Sequence, residues 1–187
     1  MKTVGITGGI GSGKSVVCEI LRILNYPVYD TDVQAKILMR ESSVIISKLK
    51  SLIGGEAYVE GEINRAKISS FIFSSQENLN KVNSIVHPEV CNHFLSWKSE
   101  QTSDIVFIES AILYESGLSN MVDEVWCVVA DEEERVRRVM KRNGMTRQEV
   151  LDRINSQIND NERVKRADHI IDNSGNVSLL KQIIKIL

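Results

Sequence analysis

The chain has 187 residues, 42% of them apolar and 26% charged, which suffices for one large domain, or a core with small excursions, with a real apolar interior and an ordinary polar surface. A formal net charge of −2 gives no general case for a nucleic-acid or membrane partner, so any basic patch must be local. Three scattered cysteines, Cys18, Cys91 and Cys127, are odd in number and lack metal-site spacing, so reduced thiols in a cytoplasmic setting are expected.

Lys2 to Thr7 is apolar and β-rich, and predicts a strand directly at the N-terminus, with no signal peptide. Glycines follow, then Val17, Ile20, Leu21 and Leu24 at helical spacing. Between strand and helix stands GGIGSGKS, residues 8–15, which satisfies G-x-x-x-x-G-K-[ST]. Phosphate oxygens need many donors at short range. Backbone N–H groups can surround them only where side chains do not intrude, hence Gly8, Gly9, Gly11 and Gly13 with Ser12 between. The helix beginning near Lys14 aims its positive end at the phosphates. Lys14 adds a full charge, and the Ser15 hydroxyl can ligate Mg²⁺.

Asn25, Tyr26 and Pro27 break the helix, and a short strand of Val28 and Tyr29 ends at Asp30. Asp30 and Asp32 are two carboxylates just past a strand. They suit proton abstraction from an attacking hydroxyl or a water-mediated hold on Mg²⁺, and equally suit capping the helix that follows. In an extended segment they would point to opposite sides. Residues 33–100 read as a helical insertion without a good strand. Within it, Ser74 and Glu77 form a capping box, and Pro88 is expected to kink or restart the helix. His87, Cys91 and His93 lack ligand spacing, and structural roles are expected for Cys91 and His93.

The alternation of strand and helix then resumes. A strand over 104–108 ends at Glu109, which suits ordering Mg²⁺ through water and equally a solvent-facing strand end. A strand over 124–130 ends at Asp131, and 132–142 is a charged helix. Glu133 with Arg137 and Glu134 with Arg138 have the i,i+4 spacing of a solvated face. Arg138 and Arg142, one turn apart, are the candidate pair for a basic flap over phosphate. Thr146 and Glu149 form a second capping box, opening a helix through about Gln157. A last strand over 169–171 leads through Asp172, Asn173, Ser174 and Gly175 to a closing helix over 177–187. Trp97 and Trp126 are expected to pack in the interior.

Strands alternating with helices imply an α/β fold with a parallel sheet covered on both faces, and ligands gather outside the carboxyl ends of such strands. The glycine loop, Asp30, Asp32, Glu109 and Asn173 all fall at those ends. There is no N-K-x-D to read guanine, and the D-x-x-G at 172–175 lies too late for a switch loop. A compact core, a helical insertion after the second strand and a basic segment after the fourth form the layout of a small-molecule kinase.

The chain resembles the dephospho-coenzyme A kinase family over essentially its full length. The resemblance rests on TGGIGSGKS, DTD at 30–32, His87-Pro88, Leu113-Tyr114-Glu115, the R-x-x-x-R of 138–142, Gln157 and DNSG at 172–175. It implies a P-loop core of nucleoside-monophosphate-kinase type, made of 1–32, 101–134 and 166–187. It further implies a helical insertion at 33–100 that cradles dephospho-CoA and a basic lid at 135–165. The implied reaction moves the ATP γ-phosphate to the ribose 3′-hydroxyl of dephospho-CoA, with Mg²⁺ as cofactor. In the implied roles the loop through Val16 holds ATP, Asn173 lies by the adenine and Asp32 is the base. Lys14, Arg138 and Arg142 meet phosphate. Asp30, Asp32, His87 and Leu113 border the acceptor, and Ser15 and Glu109 serve the metal. No nucleic acid, membrane or obligate protein partner is expected. Another small-metabolite kinase and a non-catalytic ATP-binding regulator are the alternatives. Four departures stand out: Val16 where Thr is usual, AILYE at 111–115 without its proline, Arg135 where Gln is frequent, and Asn143 where Asp is.

Overall fold

The computed structural model describes residues 1–175 and 177–187. The chain forms two compact units, one of Met1–Asp30 with Gln101–Leu187 and one of Thr31–Glu100. The first unit opens with β1 (Lys2–Thr7), α1 (Lys14–Ile23) and β2 (Val28–Asp30). The second holds α2 (Thr31–Glu41), α3 (Ser43–Ile53), β3 (Tyr58–Val59), β4 (Glu62–Ile63), α4 (Arg65–Ser74) and α5 (Gln76–Ser99). The first then resumes with β5 (Ile105–Glu109), β6 (Glu124–Val129), α6 (Glu132–Asn143), α7 (Arg147–Asn155), α8 (Asp160–Lys165), β7 (His169–Asp172) and α9 (Leu179–Ile186).

The five long-range strands form one parallel sheet in the order β2-β5-β1-β6-β7. The chain leaves β1 in both directions across the sheet, so the crevice at its carboxyl end is the topological switch point where such sheets bind ligands. Register brings the polar strand ends together: Ile6 and Asp30 each pair with Glu109, and Val129 pairs with Asp172. Beneath this rim, Val4, Ile6, Phe107, Trp126, Val128 and Ile171 meet Val17, Cys18 and Leu21 of α1 and Ile183 of α9. Ile20 and Leu24 pack partly buried against the same cluster, which completes the helical stripe. Phe107 meets Trp126 edge-on at 5.2 Å. Each fully buried large side chain here contributes about 1.5–3 kcal/mol, which anchors the sheet edge that carries the site.

In the second unit α5 runs unbroken through Pro88. Its buried stripe is Val82, Val86, Val90 and Phe94, while Pro88 and Ser84 face solvent. The carbonyl that the proline leaves without a donor therefore sits on the wet side, where water can satisfy it. Packing against α2, α3 and α4 supplies what the missing hydrogen bond does not. The N-cap of α5 is Ser75, whose hydroxyl accepts from the Asn78 N–H, so the Ser74–Glu77 box is corrected by one residue: Ser74 ends α4. β3 and β4 form a small antiparallel hairpin inside the segment expected to be purely helical, turning on Glu60 (φ 52°) and Gly61 (φ 87°). Among the described residues no helix is long and apolar enough to cross a membrane.

Candidate active site

The loop between β1 and α1 is tied back by its carbonyls. Lys14 Nζ donates to Gly8 O at 2.9 Å and to Gly9 O at 3.5 Å. Arg135 Nε donates to Ile10 O at 2.9 Å, Arg138 Nη1 to Gly11 O at 3.5 Å, and Asn173 Nδ2 to Ser12 O at 2.8 Å. A trans peptide unit is planar and points its C=O and N–H in opposite directions. Pinning the Ile10 and Ser12 carbonyls outward therefore turns the N–H groups of Gly11 and Gly13 the other way. Those donors, with the first turn of α1, make an anion cradle.

Two glycines are demanded by this bracing as well as by the ligand side. At Gly13 (φ 99°) a Cβ would be strained and would land on the Asn173 amide. At Gly9 a Cβ would land on the Arg135 guanidinium. Ser12 is buried, and its Oγ has no hydrogen-bond partner in the protein.

Arg138 also donates to Glu134 through Nε and to Asn173 O through Nη2, both at 2.9 Å. Hydrogen bonding from Arg137, and then from Arg138, holds the Glu134 carboxyl below its ordinary range. Glu133 pairs with Arg147 at 2.5 Å, so the expected Glu133–Arg137 pair is replaced: Arg137 bonds Glu134 instead. Arg142 is exposed, and its Nε donates to its neighbour Asn143 at 2.8 Å. The Thr146–Glu149 capping box is formed.

Beside the loop, the Cys18 thiol is buried against Glu109. Burial, then the charge and hydrogen bond of Glu109, push that thiol far above its ordinary value, so it stays protonated as a donor. Asp30 is the register partner of Glu109. These carboxylates and the exposed Ser15 hydroxyl are oxygen donors of the kind a hard cation takes. Leu113, expected to border the acceptor, is fully buried: a Cβ on Gly5 of β1 would meet its Cδ2 at 2.8 Å, so the side chain packs beneath the strand and presents no surface.

The second unit carries Asp32 and His87. Asp32 is exposed in the first turn of α2, where the helix dipole favours a carboxylate. The segment after Asp30 is thus helical rather than extended. His87 lies on α5, and burial lowers its basicity. This unit also has a cavity of about 260 Å³ whose lining includes Lys36, Arg40, Arg65, Met39, Ile63 and Ile68.

Ile10, Asp160 and Arg163 were not singled out by the sequence, and Arg135 stood out only as a departure. Arg135 and Arg163 are 3% and 1% exposed, yet nothing in a charged run separates an inward arginine from its solvated neighbours. Gln157, whose Oε1 accepts from the Ile10 N–H at 2.9 Å, was marked only by the family resemblance.

A parallel sheet in this strand order, with a braced glycine loop at the end of its central strand, defines a P-loop nucleotide-binding protein of the kinase type. Within that class the chain belongs to the dephospho-CoA kinase family, whose model (CoaE: dephospho-CoA kinase) matches residues 2–178. It is 44% identical over 188 residues to the dephospho-CoA kinase of Porphyromonas gingivalis, covering 100% of this chain and 93% of that one. It is 39% identical over 185 residues to that of Bacteroides fragilis, covering 98% and 90%. The crystal structure of TT1252 from Thermus thermophilus superposes with a TM-score of 0.88 at 37% identity, covering 99% of this chain and 95% of that one.

Proposed function

We propose that the protein transfers the γ-phosphoryl group of ATP to the ribose 3′-hydroxyl of dephospho-CoA, giving CoA and ADP, the last step of coenzyme A biosynthesis. The family match across residues 2–178 carries this reading. The braced loop supports it, because a cradle of inward N–H groups is what a triphosphate needs.

In this reading residues 8–16 hold the triphosphate, and Lys14 exchanges its bonds to Gly8 O and Gly9 O for phosphate oxygens. Arg138, already at the loop, neutralises charge that spreads over the transferred group, and Arg142 one turn on adds to it. Asn173 braces the loop on the side proposed for the adenine. Asp32 accepts the proton of the attacking hydroxyl, while Asp30 and His87 border the acceptor. The segment 135–165 shuts out water as the lid. Dephospho-CoA carries a diphosphate joined to an apolar-edged pantetheine arm. The second unit's cavity, with Lys36, Arg40 and Arg65 over Met39, Ile63 and Ile68, has that mixture of charge and apolar surface. Mg²⁺ would be held by Ser15 Oγ and, through water, by Glu109; when bound it supplies charge neutralisation between the phosphates.

The test is ADP release with Mg-ATP and a panel of hydroxyl acceptors. Release that depends on dephospho-CoA, with CoA as product, is the expected result. Release without any acceptor, or only with another metabolite, would overturn the assignment.

A further inference from the structure

Ile10, midway along the loop, is held on three sides by the segment 132–165. Its N–H donates to Gln157 Oε1 and its carbonyl accepts from Arg135 Nε, each at 2.9 Å. Its side chain packs against the small cluster of Val136, Val139 and Val150. Behind the loop, Arg135 and Arg163 share the single carboxylate of Asp160. Both arginines are buried, and Nε and Nη2 of Arg163 have no hydrogen-bond partner. Two buried guanidinium groups thus share one carboxylate, which is itself 44% exposed. Apolar side chains of similar volume would fill that space at lower cost. Packing therefore does not account for the arrangement, whereas its position against the phosphate loop does.

We propose that Arg135, backed by Asp160 and Arg163, and Gln157 are positioning residues that grip the backbone of Ile10 on both sides and so make nucleotide affinity depend on the order of segment 132–165. The inference rests on the reading of the loop as the ATP site. With the Ile10 carbonyl released, the Ile10–Gly11 peptide can rotate and withdraw the Gly11 N–H from the phosphates.

The experiment compares Gln157→Ala and Arg135→Met with the unmodified protein in steady-state kinetics, with melting temperature taken alongside. Each variant loses one directed hydrogen bond to the loop, and KM for ATP is expected to rise about tenfold with KM for dephospho-CoA unchanged. If neither KM moves, or both move by the same factor, the proposal is overturned whatever the melting temperature does, because a merely structural role shifts stability alone. Should Arg135→Met fail to fold, Asp160→Asn keeps the shape and withdraws the charge partner. A rise in KM for ATP of about threefold or more supports the proposal, and a smaller one overturns it. An unmodified protein without acceptor-dependent turnover would refute the kinase reading instead. In that event titration with inorganic tripolyphosphate decides: weaker binding to the variants by about tenfold supports the positioning role, and equal binding overturns it.

Discussion

Replacing Asn173 by alanine separates bracing of the loop from contact with a base. The Asn173 amide donates to Ser12 O at 2.8 Å, and Ser12 is 1% exposed, so water does not replace the lost donor. A dry carbonyl left without a partner costs about 1–3 kcal/mol. Shared evenly between folding and ligand capture, a total of about 2 kcal/mol leaves ~1 kcal/mol on each. Binding then weakens about fivefold, and the melting temperature falls by about 2–4 °C in a chain of this size. Titration calorimetry with ATP and with tripolyphosphate is the assay. Loss of bracing weakens both ligands by the same factor, since both use the loop and only one has a base. Tripolyphosphate affinity that stays unchanged while ATP affinity falls would refute the bracing argument and assign Asn173 to the adenine.

Asp32→Asn is expected to slow phosphoryl transfer at least ~100-fold, the usual weight of a general base, with ATP affinity held within about twofold; retention of most turnover removes Asp32 from that role. Thr146→Ala removes the capping box of α7. It should cost about 1 kcal/mol, read as a melting temperature lower by about 2–4 °C, and no change would mean the box is idle. Burial pushes the Cys127 thiol up from 9.0 to about 11. The folded chain keeps that proton in a window where the unfolded chain releases it, so stability is intact below pH ~9 and erodes as pH rises toward ~11. Denaturant titrations at pH 8 and 10.5 should show this loss, and Cys127→Val should lessen it; an equal slope in the variant contradicts the assignment.

The five sheet strands were legible because each is a short run rich in apolar residues that ends at, or within two residues of, a polar residue at the same rim. The loop was legible because its glycines and Lys14 form a spacing with a single mechanical use. Other parts had no local signal. Pro88 reads as a breaker, yet its place on the wet face of α5 lets the helix pass. Two-residue strands such as β3 and β4 are too short for periodicity, and their turn uses Glu60 where Asn or Asp would have announced it. The short α8 follows an amide-rich stretch that reads as loop. The inward turn of Arg135 and Arg163 depends on Asp160 and Ile10, distant in sequence or hidden in a charged run, and only the folded chain brings them together.

The bonds from Lys14 to Gly8 and Gly9 bear on how the enzyme sorts its nucleotides. A cradle already stiff on its far side closes around any polyphosphate with little ordering left to do, so diphosphate and triphosphate start from similar footing there. Preference then falls to the Lys14 contacts that must be surrendered on capture. If Lys14 meets the outer phosphate as proposed, a triphosphate is rewarded for releasing it, and a diphosphate that stops short leaves the ammonium on the loop carbonyls.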